Sequence, residues 1–189
     1  VQSGTMIISN AGTLNVQPAW NNLGTLSMRG GTLIGGNLTN RNGAIVSGFG
    51  TISSPEFINA GNALATSLSQ VLHVTGAMVK NQTNGTFGAS LGRLVVDGVL
   101  TNAGLVSFAD SYGTFNGSVV NQGAWVSDPS TLTFNGDYTV ATNGYIQMAR
   151  GDVYTFKSNF FNFSTMSNQY KTADGKFVFD GNGAQQTQL

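Results

Sequence analysis

The sequence contains no cysteine, a single histidine and only three prolines among its 189 residues. Without cysteine there are no disulfides and no thiolate metal sites. With one histidine, any Ser-His-Asp triad has to pass through His73. Charge is scarce as well. Charged residues make up 8% of the chain, against about a quarter in ordinary soluble proteins, and eight basic and eight acidic side chains cancel. So thin a basic complement cannot neutralise a phosphate backbone, and no nucleic-acid partner is expected. Disorder driven by net charge is excluded too, because Val, Ile, Leu and Phe recur throughout. No apolar run approaches the ~18 residues of a membrane span, so no membrane insertion is expected.

What fills the chain instead is glycine, 26 residues of it, with abundant Asn, Thr and Ser. These residues are arranged in a repeat. Gly31-Thr32-Leu33-Ile34-Gly35-Gly36-Asn37-Leu38-Thr39-Asn40, Leu94-Val95-Val96-Asp97-Gly98-Val99-Leu100-Thr101-Asn102-Ala103-Gly104 and Gly113-Thr114-Phe115-Asn116-Gly117-Ser118-Val119-Val120-Asn121 follow one scheme. Each has an apolar residue, a glycine, a second apolar residue and then an asparagine. The first apolar position falls at Leu14, Leu33, Ile52, Leu72, Leu94, Phe115, Leu132, Tyr154 and Phe177, at intervals of 17 to 23 residues. The second falls at Trp20, Leu38, Phe57, Met78, Leu100, Val119, Tyr138 and Phe160. The asparagine recurs at Asn22, Asn40, Asn59, Asn102, Asn121 and Asn162. Lys80 and Val140 break its run, with Asn81 and Asn143 close behind. A third apolar segment closes each period, as in Gly104-Leu105-Val106-Ser107 and Gly123-Ala124-Trp125-Val126-Ser127.

Short runs with period-two alternation are strands, and Gly and Asn serve the tight turns between them. Three such runs in about 20 residues leave no room for hairpins with loops, but they fit one coil of a parallel β-helix. The expected fold is all-β: a single right-handed parallel β-helix domain over residues 1–189, with about eight rungs of roughly 20 residues and three short strands per rung. Handedness comes from the crossover rule alone. The six recurrent asparagines are expected to form an internal ladder, each amide bonding its copy above and below. The chain starts at Val1 and its last five residues, Gln185 to Leu189, read as an interrupted strand, so a processed piece of a longer exported protein is expected.

Chemistry is sparse. His73 lies in Val71-Leu72-His73-Val74-Thr75, where alternation turns it to solvent. Asp97 and Asp137 each sit beside a glycine after a strand, two coils and about 10 Å apart. That separation is wide for a retaining glycosidase pair, and turn capping is the better reading. No catalytic residue, metal ligand or cofactor is expected. In Phe160-Phe161-Asn162-Phe163, alternation points Phe161 outward as a candidate surface contact. Residues 1–93 carry four basic groups and one acid, net +3, and residues 94–189 carry four basic groups and seven acids, net −3. Such a split suits head-to-tail contact between copies.

The Asn-x-Gly turns, the Gly-Thr-Leu openings and Leu100-Thr101-Asn102-Ala103-Gly104 resemble the β-helical repeats of exported bacterial surface and matrix proteins. Autotransporter passengers, filamentous-haemagglutinin-type adhesins and exosortase-sorted extracellular proteins are the groups concerned. The resemblance implies a secreted or cell-surface module of structural or adhesive character. Its partners would be further copies of itself, joined head to tail or laterally, or glycans and surfaces. A subunit of a self-assembling extracellular fibre is the alternative. A carbohydrate-active β-helix enzyme and an ice-binding protein are weaker readings. The second lacks an unbroken Thr column, since Val71 and Arg93 fall in the gap between Thr51 and Thr114.

Overall fold

Alternating apolar residues, cut every few positions by glycine or asparagine, fold as a solenoid of short parallel strands. A computed structural model describes residues 1–188; Leu189, at the end of the terminal run, lies outside the described residues. Two sheets wrap the core, one of thirteen strands and one of nine, and strands pair across successive turns of the chain. The nine-stranded sheet contributes one strand to each rung, from Trp20–Asn22 to Thr187–Gln188, so there are nine rungs where about eight are expected from the spacing. The thirteen-stranded sheet bends round two further faces. We call these the first and second faces, and the nine-stranded sheet the third.

Three short strands per rung hold for only part of the rod. In four rungs the first and second faces are spanned by one strand: Thr25–Gly35, Ile45–Ser53, Leu105–Phe115 and Ala124–Phe134. Elsewhere the corner between them breaks the strand, as between Thr86–Ser90 and Arg93–Val96. Asn62–Ala65, at the start of an Ala- and Leu-bearing run over 62–70, is also a strand.

Alternation directs every second side chain inward. On the third face Trp20, Leu38, Phe57, Val79, Leu100, Val119, Tyr138 and Phe160 stack in one buried column. The rung at Met78–Asn81 corrects the spacing-based alignment by one residue. Val79 rather than Met78 faces the core, and Asn81 rather than Lys80 stands between Asn59 and Asn102. On the second face the register differs by two. Ile52, Val74, Val96, Phe115, Phe134 and Phe156 form one column. Leu72, Leu94, Leu132, Tyr154 and Phe177 form the column beside it. A slip of two preserves the face, so the residues are buried as expected but stack on other partners. Gly113 conceals the second column. It holds an inward position between Leu94 and Leu132, where an added Cβ would lie 2.9 Å from the Phe108 ring.

The asparagines form a directional ladder at the corner where the third face passes to the next rung. The Nδ2 of Asn22 donates to Oδ1 of Asn40 at 2.8 Å, and the bond repeats through Asn59, Asn81 and Asn102 to Asn121 at 2.7–2.8 Å. Each amide also donates to a backbone carbonyl of the rung above, for example Asn81 to Leu105 O at 3.0 Å. All six side chains are buried. Val140 is stacked directly on Asn121 and ends the run. Asn162 follows Val140 in register and accepts from its own Ser164 N–H at 3.1 Å, so it is a local turn cap, separated from the ladder by a valine. Where the ladder stops, aromatic stacking takes over the core. Phe115, Phe134, Phe156 and Phe179 lie face to face at 5.2, 5.1 and 5.4 Å.

The corner between the second and third faces is built on close approach. Gly98, Gly117 and Gly136 sit one above another, and a Cβ on Gly117 would collide with Gly98 O.

The one-residue correction is testable. Asn81→Ala removes a buried group that donates to Asn102, Gly85 and Leu105 and accepts from Asn59, and should cost about 2–3 kcal/mol in urea unfolding. Lys80→Ala loses only a surface ion pair with Glu56, about 0.2–1 kcal/mol. Equal losses for the two would refute this register.

Candidate functional site

The first corner, between the first and second faces, is where the repeat is least regular. In several rungs the chain turns here through a residue in the left-handed region. Gly30, Gly50 and Gly151 supply it in three rungs. In others the position holds a residue with a Cβ: Ala11 at φ 58°, Leu91 at φ 51° and Asp110 at φ 48°. Each such residue carries a conformational cost of about 1–2 kcal/mol that glycine would not. Leu91 is in addition 55% exposed, so neither backbone ease nor burial accounts for it.

Beneath this corner runs a second polar ladder. The Gly92 N–H donates to Ser111 Oγ at 3.1 Å, the Ser111 N–H to Ser130 Oγ at 3.2 Å, and the Ser130 N–H to Asp152 Oδ1 at 2.5 Å. Asp152 closes it. Its carboxylate is buried and also accepts from Ser127 Oγ and from the Ala149 N–H, both at 2.6 Å. Ser127 Oγ in turn lies 2.6 Å from the Tyr154 hydroxyl. Three donors thus hold an interior carboxylate that would be prohibitive alone.

Outside the ladder the corner opens into two shallow grooves. One, of about 470 Å³, is lined by Leu68, Arg93, Asp110, Tyr112, Pro129 and Thr131, with Ser111, Ser130 and Gly151 at its base. The other, of about 590 Å³, carries Asn10, Arg29, Phe49 and Thr66. Each holds an arginine in register with an aromatic one rung above, Arg93 with Tyr112 and Arg29 with Phe49. The Arg93 guanidinium lies 4.8 Å from the Tyr112 ring centroid. Among the described residues, no carboxylate is within salt-bridge distance of Arg29 or Arg93.

The residues singled out by sequence fall elsewhere. His73 is on the second face, its Nε2 2.8 Å from Asp97 Oδ2, with both side chains about two-fifths exposed. Asp97 Oδ1 accepts from Asn116 at 2.7 Å, and Asn116 accepts from Asn135 at 2.7 Å. In register His73 is flanked by Thr51 and Val95. Asp97 and Asp137 do not share a column. Asp97 precedes the glycine stack and Asp137 follows it, accepting from Ser158 Oγ at 2.6 Å and from Asn159. The Ser158 hydroxyl bond is the main reason the Asp137 carboxyl lies below its ordinary value of 3.8. Phe161 is half-buried on the third face, stacked on the more exposed Phe163 at 6.3 Å. Among the described residues no three His, Asp or Glu side chains gather where one metal ion could bind them.

Sequence reasoning missed the serine ladder and the grooves. Ser111, Ser130 and Asp152 recur at the rung interval like the asparagines, so the periodic signal was present. Arg93 and Tyr112 are 19 apart as well, but only the register shows them to be adjacent. Comparison with protein-family models, curated proteins and solved structures finds no match to this chain.

The buried tyrosines give the interior a pH signature. Burial pushes the Tyr138 hydroxyl well above its ordinary value of 10.0, with Tyr154 adding a smaller repulsion, and burial raises Tyr154 likewise. Tyr170, less buried, is pushed up to about 12. Unfolded tyrosine ionises near 10, so the native state holds extra protons above that pH. The stability from these groups is complete below pH ~10 and drains away as pH rises further. Tyrosinate absorbance should show Tyr138 and Tyr154 ionising only together with loss of the β-sheet circular dichroism. Ionisation of all five tyrosines with the sheet signal intact would contradict this core.

Proposed function

We propose that the chain is a non-catalytic structural and adhesive module of an exported, cell-surface or extracellular-matrix protein. The observation that carries this reading is an outer column on the second face. Thr13, Thr32, Thr51, His73, Val95, Thr114, Thr133 and Thr155 stack in register, one residue per rung. Most of these positions present a hydroxyl at a spacing of about 4.8 Å on a rod of about 40 Å. Rows of weak donors and acceptors on a stiff, neutral scaffold suit multivalent contact with hydroxylated or mineral surfaces, where single contacts are feeble and their sum is not. The break between Thr51 and Thr114 spans two rungs, as the spacing suggests, but His73 and Val95 rather than Val71 and Arg93 stand in it. Beads coated with the folded protein should be retained on polysaccharide or silica films several-fold more than beads coated with the urea-unfolded chain. Equal retention would overturn the reading.

Stacking of copies into an extracellular fibre is the second reading, favoured by the in-register parallel pairing that each rung offers the next. The charge split lends it less than expected. Arg29, Arg41, Glu56, Lys80 and Arg93 all belong to inner rungs, and on the last rung Lys171 and Lys176 balance Asp174 and Asp180. Backbone pairing between rungs, not salt-sensitive charge, would therefore drive assembly. Electron microscopy should then show filaments one rod wide that persist at high salt, and isolated short rods at every salt concentration would exclude it.

A further inference from the structure

The first-corner grooves carry features that a merely structural corner does not need. Among the described residues Arg29 and Arg93 hold no carboxylate partner, yet each stands beside an aromatic ring of the adjoining rung. Tyr112 is 47% exposed, and Leu68 and Leu91 are 48% and 55% exposed beside it. Leu91 and Asp110 hold left-handed backbone, which Gly30, Gly50 and Gly151 supply in other rungs. Strain and exposed apolar surface together mark a site kept for something other than stability.

We propose that the first corner binds an extended acidic polysaccharide, a chain of uronate-type sugars laid along the rod axis. This deepens the adhesive reading above and rests on it. A pyranose ring presents an apolar C–H face and a hydroxylated edge. The face of Tyr112 turned from Arg93 looks toward Thr131 and can take the first, while Asp110 and Thr131 meet the second. Arg93 and Arg29 present planar guanidinium forks to carboxylates, a geometry that favours bidentate pairing. The two arginines lie three rungs apart, about 14 Å along the axis, with Arg29 before the turn at Gly30 and Arg93 after the turn at Leu91, so a chain that engages both crosses the corner obliquely. The chain's zero net charge matters here. Retention by a polyanion cannot come from overall attraction and needs a local site.

The probe is sodium alginate, a polyuronate, incorporated in native gels, with neutral dextran as the comparison. The folded protein should be retarded by alginate and not by dextran. Tyr112→Ala and Arg93→Gln should each weaken retardation about tenfold, with Arg29→Gln losing severalfold. Arg41→Gln removes the same charge outside the grooves and should leave retardation unchanged. All variants are first matched by circular dichroism and urea midpoint, so that a folding defect is not read as a binding one. Absence of retardation, stronger retardation by dextran, or equal losses in Arg41→Gln and Arg93→Gln would each overturn the proposal. On alginate films, equal retention of beads coated with wild type and with Tyr112→Ala would overturn the groove alone. Beads retained no better than the unfolded control would overturn the adhesive reading itself.

Discussion

Parallel pairing of each strand with its copy one rung away is the constraint on which everything else here depends. Once backbone hydrogen bonds hold successive coils about 4.8 Å apart, every position of the repeat becomes a column, and each side chain must tolerate a near-copy directly above and below. Asparagine does so well, because its amide is both donor and acceptor and the bond passes from Asn22 to Asn121 with one geometry. Flat aromatic rings do so by stacking, as Phe115, Phe134 and Phe156 do. Like charges do not. The low charge content of the chain follows from this. The charged contacts that occur, Lys80 with Glu56, His73 with Asp97 and Lys157 with Asp180, each join opposite or complementary groups across adjacent rungs.

The three corners solve one problem in different ways. At each, backbone polar groups leave the sheet and need partners or close packing. The third-face corner uses asparagine amides, the first corner uses the hydroxyls of Ser111 and Ser130 ending on Asp152, and the second uses stacked glycines that bring backbones together. Asparagine ladder and aromatic column divide the rod between them. The ladder runs through the rungs up to Asn121, and the stacked rings begin at Phe115 and continue beyond it. Val140 marks the handover, since an apolar side chain at the ladder position suits a core already filled by Trp125, Tyr138 and Phe156.

The solenoid and its inward face were legible because period-two alternation and the rung interval are both written in the order of residues. Exact stacking was not. Leu72 and Val74 are both apolar and both inward, and choosing between them as the partner of Ile52 takes the backbone register. Likewise Lys80 and Asn81 compete for one ladder position, decided by a single residue of turn length. Glycine obscures columns further, because Gly113 fills an apolar position by yielding it to the Phe108 ring. The first-corner grooves were hidden for the same reason. Arg93 and Tyr112 become neighbours only when two rungs are laid in register.

A regular solenoid surface is nearly featureless along its axis, so selectivity has to come from departures from the repeat. The departures here are concentrated on one edge. The first corner has the variable loop lengths, the non-glycine left-handed residues and the arginines beside aromatic rings, while the third-face corner keeps its asparagines in six successive rungs. Stability and recognition are thereby assigned to different corners of one coil. The asparagine ladder and the aromatic column fix the spacing between rungs, and that fixed spacing turns residues distant in sequence, such as Arg29 and Arg93, into a ruler. A ligand whose own repeat runs along the same axis can be read by such a ruler with little ordering cost, since the scaffold is already in place.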